Sequence, residues 1–227
     1  MAADLKSSEE DKSRRLLSLT FYTFMARYTG PKNRLARAAG RDLGLKTNTT
    51  KLDRRLSVPP GQHGPKGKRG KASDYSVQLK EKQKVRYMYG VLEKQFSRYY
   101  EEARKNPKAT GVRLLQLLEL RLDNVVYRLG LASTRTAARQ FVTHGHVLVN
   151  NEKVDIPSFQ IKSGDTVTLK SSFLENPMVK PLLDSKKVIV PKWLEKKAAV
   201  GKVVREPERD EIDQDISEQL IVEFYSR

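Results

Sequence analysis

The chain contains no cysteine, which removes disulfide bridges, thiolate catalysis and the usual cysteine-built zinc cages. Histidine is scarce as well. His63, His144 and His146 are the only three, and the pair flanking Gly145 has no further nearby ligands that would define a metal site. No apolar run approaches the length that a bilayer needs, and no isolated basic helix with a wide apolar face is visible, so no membrane partner is expected. No internal repeat stands out. The glycines make no nucleotide loop: neither Gly67-Lys68 nor Gly70-Lys71 has a preceding glycine at Walker spacing or a following Ser or Thr. No Ser-His-Asp or paired-carboxylate arrangement can be argued from spacing, so the reading is a binder rather than an enzyme, with no catalytic residue, metal or cofactor. Acidic residues are outnumbered, 27 against 44 Lys and Arg, for a formal charge of +17 over 227 residues. Such an excess repels itself and implies a polyanionic partner. Scattered surface lysines are the bland alternative.

What is present is organised around residues 118–170. Leu118, Leu122, Val125 and Leu129 recur at helical spacing, while Arg121, Asn124 and Arg128 recur on another face. Gly130 ends that helix and Ser133 caps the next. In the second helix Ala137, Ala138, Phe141 and Val142 point to a core, and Arg135 and Arg139 sit one turn apart. Gly145 stops it. Val147 and Val149 alternate as a strand, Asn150-Asn151 turns, and Thr166 to Leu169 alternates again. The expected product is a helix–helix–hairpin module with a basic face. Arg121, Arg128, Arg135 and Arg139 are its candidate phosphate contacts, joined by Asn124, Thr134, Gln140, His144 and His146 as candidates for binding the polyanion.

Before this module the chain is basic. Arg34, Arg37 and Arg41 share one face of a short helix, and Arg54 follows. In VPPGQHGPKGKRGKASDY, proline and glycine place Lys66, Lys68, Arg69 and Lys71 on an extended loop, which suits phosphate contact; a disordered linker is the alternative. Residues 74–105 read as the most helical segment, with Val85, Met88, Leu92, Phe96 and Tyr99 as its apolar stripe and Asn106-Pro107 as its end. Lys80, Lys82, Gln83 and Arg86 with Tyr75 extend the candidate binding set. Tyrosines among cations can stack on unpaired bases, although at helical spacing they also serve as core.

After the module come a proline-interrupted connector from Phe173 to Val190 and an acidic tail with Glu206, Glu208, Asp210, Glu211, Asp213 and Asp215. The tail is expected to pack on the chain itself or to meet a basic protein, with a solvated acidic face as the alternative. Leu220, Val222 and Phe224 alternate like a strand, yet Ile216, Leu220 and Ile221 also suit a helix. Residues 1–24 fit neither a secretory signal nor a transit peptide; a disordered extension is one reading of them.

The stretches RLDNVVYRLG and HGHVLVN, with the Arg135 and Arg139 pair, resemble the RNA-binding module named after small-subunit ribosomal protein four. The flanks extend the resemblance: RYTGPKNRLAR, PPGQHG, QLKEKQKVRYMYG, LEKQF, PKWLE and LIVEFYSR occur in family order from Met25 to Arg227. Some members carry a four-cysteine zinc knuckle near the N-terminus, so this chain is similar to the zinc-free, bacterial-type form. The resemblance implies an α+β protein in which a mostly helical domain carries an inserted helix–helix–β-hairpin module. Residues 1–25 would be a mis-called start, because Met25-Ala26-Arg27-Tyr28 resembles the ordinary beginning of the family, or else a disordered extension; 26–117 would be the basic segment and helical domain, 118–183 the module, and 184–227 a C-terminal segment packed back on the helical domain. It further implies direct binding to small-subunit ribosomal RNA at a 5′-domain junction, nucleation of the subunit body, contact with small-subunit ribosomal protein five, and a place beside mRNA near its entrance path, where decoding accuracy is influenced. Three other readings compete. A stand-alone RNA chaperone leaves the flanks unexplained, an RNA-modifying enzyme lacks its catalytic domain, and a DNA-binding protein explains charge alone.

Overall fold

The computed structural model describes residues 27–66, 71–106, 109–184 and 190–227; the expectations for residues 1–24 and for Lys68 and Arg69 lie outside these. The protein is α+β, as the resemblance implied, and it is built on two apolar cores.

The first core belongs to helices. α1 (Lys32–Ala39) ends at Gly40, whose φ of 74° is the left-handed cap that glycine accepts most easily. A single turn, α2 (Thr50–Asp53), leads into the proline- and glycine-rich loop. α3 (Asp74–Met88) starts at Ser73, whose hydroxyl accepts the Ser76 backbone N–H. α4 (Glu93–Arg104) and α5 (Thr110–Glu119) follow, and α10 (Glu218–Tyr225) returns from the far end of the chain to pack on α3 and α5. Val85, Met88, Phe96, Leu114, Leu115, Leu118 and Ile221 are buried together here. The segment expected as one helix over 74–105 is therefore two. Gly90, at φ 63°, turns the chain left-handed, and the Val91 N–H closes on the Arg86 carbonyl at 3.0 Å. The tail forms helix α10, not a strand.

The second core lies under α6 (Leu122–Arg128), α7 (Arg135–Thr143) and a five-stranded antiparallel sheet. Its strands are β1 (Val147–Val149), β2 (Glu152–Lys153), β3 (Thr166–Leu169), β4 (Leu194–Lys197) and β5 (Val200–Val203), in the order β2-β1-β3-β5-β4. Asn150 and Asn151 both have positive φ, 50° and 68°, which matches the twist that a two-residue hairpin turn needs. Leu122, Val125, Leu129, Val142, Val167, Trp193 and Val203 fill the space between helices and sheet. Gly201 of β5 lies against the Leu129 side chain, so closely that an added Cβ would collide with both of its methyls. Two short helices, α8 (Ser171–Leu174) and α9 (Lys180–Asp184), occupy the connector before β4.

Three expectations are corrected. The helix begun at Leu118 breaks: Leu120 closes α5, and Arg121, at φ −64° and ψ 137°, precedes α6 in an extended conformation. The polar groups that the break exposes are taken up by residues 157–161. Leu120 accepts from the Ile161 N–H at 2.9 Å, and the Leu122 N–H donates to Phe159 at 2.9 Å. The cap of α7 is Thr134, one residue after Ser133, and its hydroxyl accepts the Ala137 N–H at 3.2 Å. The sheet also crosses the boundary set at residue 183, because β5 pairs with β3; only the chain beyond β5 returns to the helical core.

Candidate nucleic-acid interface

Where the two cores meet, buried carboxylates collect the cations that the sequence offered as RNA contacts. Glu119, 1% exposed, accepts hydrogen bonds from the Tyr89 hydroxyl at 2.6 Å and the Asn124 amide at 2.6 Å, and from Arg128 through Nη2 at 2.6 Å and Nε at 2.9 Å. Burial pushes its carboxyl up, but the Arg128 and Arg135 charges and the bound hydroxyl more than offset this and hold it below the usual range. The same burial, with Glu119 alongside, raises the Tyr89 phenol well above its ordinary value. Arg135 donates from Nε to Asn124 Oδ1 at 2.8 Å, with its guanidinium over the rings of Tyr89 and Tyr127.

Arg121 changes role altogether. It is fully buried, gives Nε and Nη2 to the Asp123 carboxylate at 3.1 and 2.7 Å, and gives Nη1 to the Tyr99 hydroxyl at 2.8 Å. With every side-chain nitrogen engaged and no exposed surface, it cannot reach a phosphate in this fold. Asn124 and Thr134 are likewise buried, one inside the Glu119 network and the other as a helix cap. Arg139, on the outer side, donates to the Gly90 carbonyl at 3.0 Å and stands 3.9 Å from Asp123.

In the helical domain the cations divide in the same way. Arg37 fastens the proline-rich loop by donating to the carbonyls of Val58 and Pro59, both at 2.9 Å. Arg41 lies just past the end of α1 and reaches Asp215 at 2.7 Å, so part of the acidic tail is neutralised by the chain itself. Lys82 is buried, with Nζ 2.7 Å from Glu93 and 4.2 Å from the Phe224 ring centroid, and it too leaves the set of surface cations. Arg86 shares Glu93 at 2.8 Å, and Gln83 is half-buried beside it. Tyr75 is exposed near Phe224 and Arg227.

The remaining candidates stand on the surface. Arg34, Arg54, Lys66, Lys71, Lys80, Gln140 and His144 are exposed, and His146 stacks on Phe173 with ring centroids 3.9 Å apart. Among the described residues, Arg34, Arg54, Lys66 and Lys71 have no carboxylate partner.

Sequence reasoning missed a cleft of ≈ 420 Å³ between α1 and the first turn of α7. Arg27, Lys32 and Arg139 line it with Tyr28, Tyr87, Thr136 and Gln140. Lys32 Nζ donates to Thr136 Oγ1 at 3.0 Å, across 104 positions of sequence, and no local spacing signals that pairing. Burial, with Lys46 and Arg27 nearby, pulls the Lys32 ammonium below its usual value. Among the described residues no cluster of His, Asp and Glu is placed to hold a metal ion, and no helix is long and apolar enough to cross a membrane.

Residues 27–119 match the family described as ribosomal protein S4/S9 N-terminal domain, and residues 120–167 match the S4 domain. The chain is 52% identical over 206 residues to small ribosomal subunit protein uS4 of Opitutus terrae, covering 89% of this chain and 100% of that one. It is 50% identical over 211 residues to uS4 of Halothermothrix orenii and 52% identical over 210 residues to uS4 of Marinobacter nauticus, again covering 89% of this chain and 100% of each relative. With both domains matched in order and relatives covered from end to end, the chain belongs to the uS4 family of small ribosomal subunit proteins.

Proposed function

We propose that this protein is a structural, non-enzymatic constituent of the small ribosomal subunit that binds ribosomal RNA directly and early, and so nucleates assembly of the subunit body. The observation that carries this is the division of its cations. Glu119, Asp123, Glu93 and Asp215 are engaged by Arg121, Arg128, Lys82, Arg86 and Arg41, which leaves Arg34, Arg54, Lys66 and Lys71 exposed on a chain of net charge +17. A rigid frame bearing uncompensated surface charge fits a folded RNA whose backbone is its main accessible feature.

The 5′-domain junction is the proposed site, with Arg135 and Arg139 contributing where the module faces the helical domain. Contact with small-subunit ribosomal protein five and a position beside mRNA near its entrance path, with an influence on decoding accuracy, belong to the same proposal and rest on family membership.

The test is reconstitution of small subunits from purified components with this protein omitted or added last. Particles that stall early without it, and hold it through a high-salt gradient when it is present, support the reading. Particles that assemble equally well without it refute the assembly role.

A further inference from the structure

We infer that the cleft between α1 and α7 seats one unstacked nucleotide of the bound RNA, with its phosphate at Arg27, Lys32 and Arg139 and its base against Tyr28 or Tyr87. The inference rests on the rRNA-binding reading above and adds to it a defined single-nucleotide site.

Four features converge. At ≈ 420 Å³ the cleft falls within the roughly 300–1,000 Å³ of pockets that hold small ligands, whereas a duplex backbone needs only an open basic surface. Its lining holds three cations and no carboxylate. These like charges crowd one another at Lys32, which lies beside Arg27 and Lys46 and is partly withdrawn from water; Arg139, also partly withdrawn, has Asp123 at 3.9 Å as a counter-charge. An anion placed among them would relieve that repulsion. The first turn of the nine-residue α7 contributes Thr136 and Ala137 to the wall, so the positive end of the helix dipole lies beside the same space.

The aromatic wall points beyond a bare phosphate. Tyr28, 42% exposed, folds over Gly30, where an added Cβ would sit 2.6 Å from the ring carbon Cζ; a side chain there would displace the ring. Tyr87 is held from outside by the Arg86 guanidinium, 5.0 Å from its ring centroid. Aromatic rings beside phosphate-binding cations suit a base extruded from its stack. Gln140 on the exposed rim offers an amide donor and acceptor to that base's edge.

The test uses the full chain bound to an rRNA fragment that spans the 5′-domain junction. Zero-length ultraviolet cross-linking followed by peptide mass spectrometry should give a nucleotide adduct on Tyr28 or Tyr87. Lys32→Met, which keeps the side-chain stem and removes its charge, should weaken binding about tenfold and lower the salt slope by about one, with partial restoration in Lys32→Arg. A tightly bound fragment with no adduct on either tyrosine overturns the inference, as does unchanged affinity in Lys32→Met. If the wild-type chain retains no fragment, the rRNA-binding reading itself fails. Uridine monophosphate then decides the cleft alone: shifts of the Thr136 and Ala137 amides sustain the seat, and their absence at millimolar nucleotide overturns it.

Discussion

Glu119 and Arg128 meet in a two-point ion pair across the break between α5 and α6, with Nη2–Oε1 at 2.6 Å and Nε–Oε2 at 2.9 Å. The carboxylate closes the helical domain and the guanidinium opens the module. Tyr89 and Asn124 use the remaining acceptor capacity of Glu119, so the two cores share one saturated polar joint. Removing one partner strands the other in a dry environment, which costs far more than a surface pair gains.

Glu119→Gln should therefore destabilise the protein by about 3 kcal/mol, read from urea denaturation at neutral pH. The pH dependence follows from the depressed carboxyl of the folded state. Such a group contributes its stability in full above the unfolded carboxylate range and loses it as pH falls through the folded value. Wild type should lose stability on acidification, and Glu119→Gln should lose less over the same window. Parallel curves would show that Glu119 is not the group concerned.

Arg121 and Arg34 should separate stability from binding. Arg121→Met leaves Asp123 buried without its cation, so a loss of about 3 kcal/mol in stability is expected with no change in the salt slope of RNA binding. Arg34→Ala, at an exposed position, should leave stability unchanged and reduce the slope by about one. A reduced slope in Arg121→Met would return that residue to the phosphate contacts.

Arg135 and Arg139 stand between these cases, since each is tied to the protein yet stays only half-buried where the module meets the helical domain. The double substitution to Ala should weaken RNA binding and flatten its salt dependence by up to roughly two. An unchanged slope would leave them only their structural bonds, Arg135 to Asn124 and Arg139 to the Gly90 carbonyl.

Thr134→Ala should cost about 1 kcal/mol by removing the hydroxyl that caps α7, whereas Ser133→Ala, one residue earlier and exposed, should be close to neutral. The reverse ranking in thermal melts would place the cap where the sequence first suggested.

Much of the module was legible because its signals are local. Gly130 and Gly145 both adopt positive φ at helix ends, and Asn150-Asn151 makes its turn within two residues. The α5–α6 break was not legible, because Leu118 to Leu129 keep an apolar spacing that an unbroken helix would also show. The backbone partners that make the break possible lie near Phe159 and Ile161, some forty positions on. The same limit applied to charge. Spacing placed Arg121 on a basic face, but only the fold brings Tyr99 to it and Asp215 to Arg41. β4 and β5 join the sheet through pairing with β3, which an alternation count within the module cannot anticipate. The cleft at Lys32 and Thr136 is no more visible in the sequence, since these two wall residues are 104 positions apart.

The most direct measurement is binding of the purified chain to a small-subunit rRNA fragment containing the 5′-domain junction, across a salt series with duplex DNA as competitor. The account predicts tight binding that survives the competitor and weakens with salt along a steep, linear log–log slope. Weak binding, equal for both nucleic acids, would contradict it and leave a basic protein without a preferred RNA.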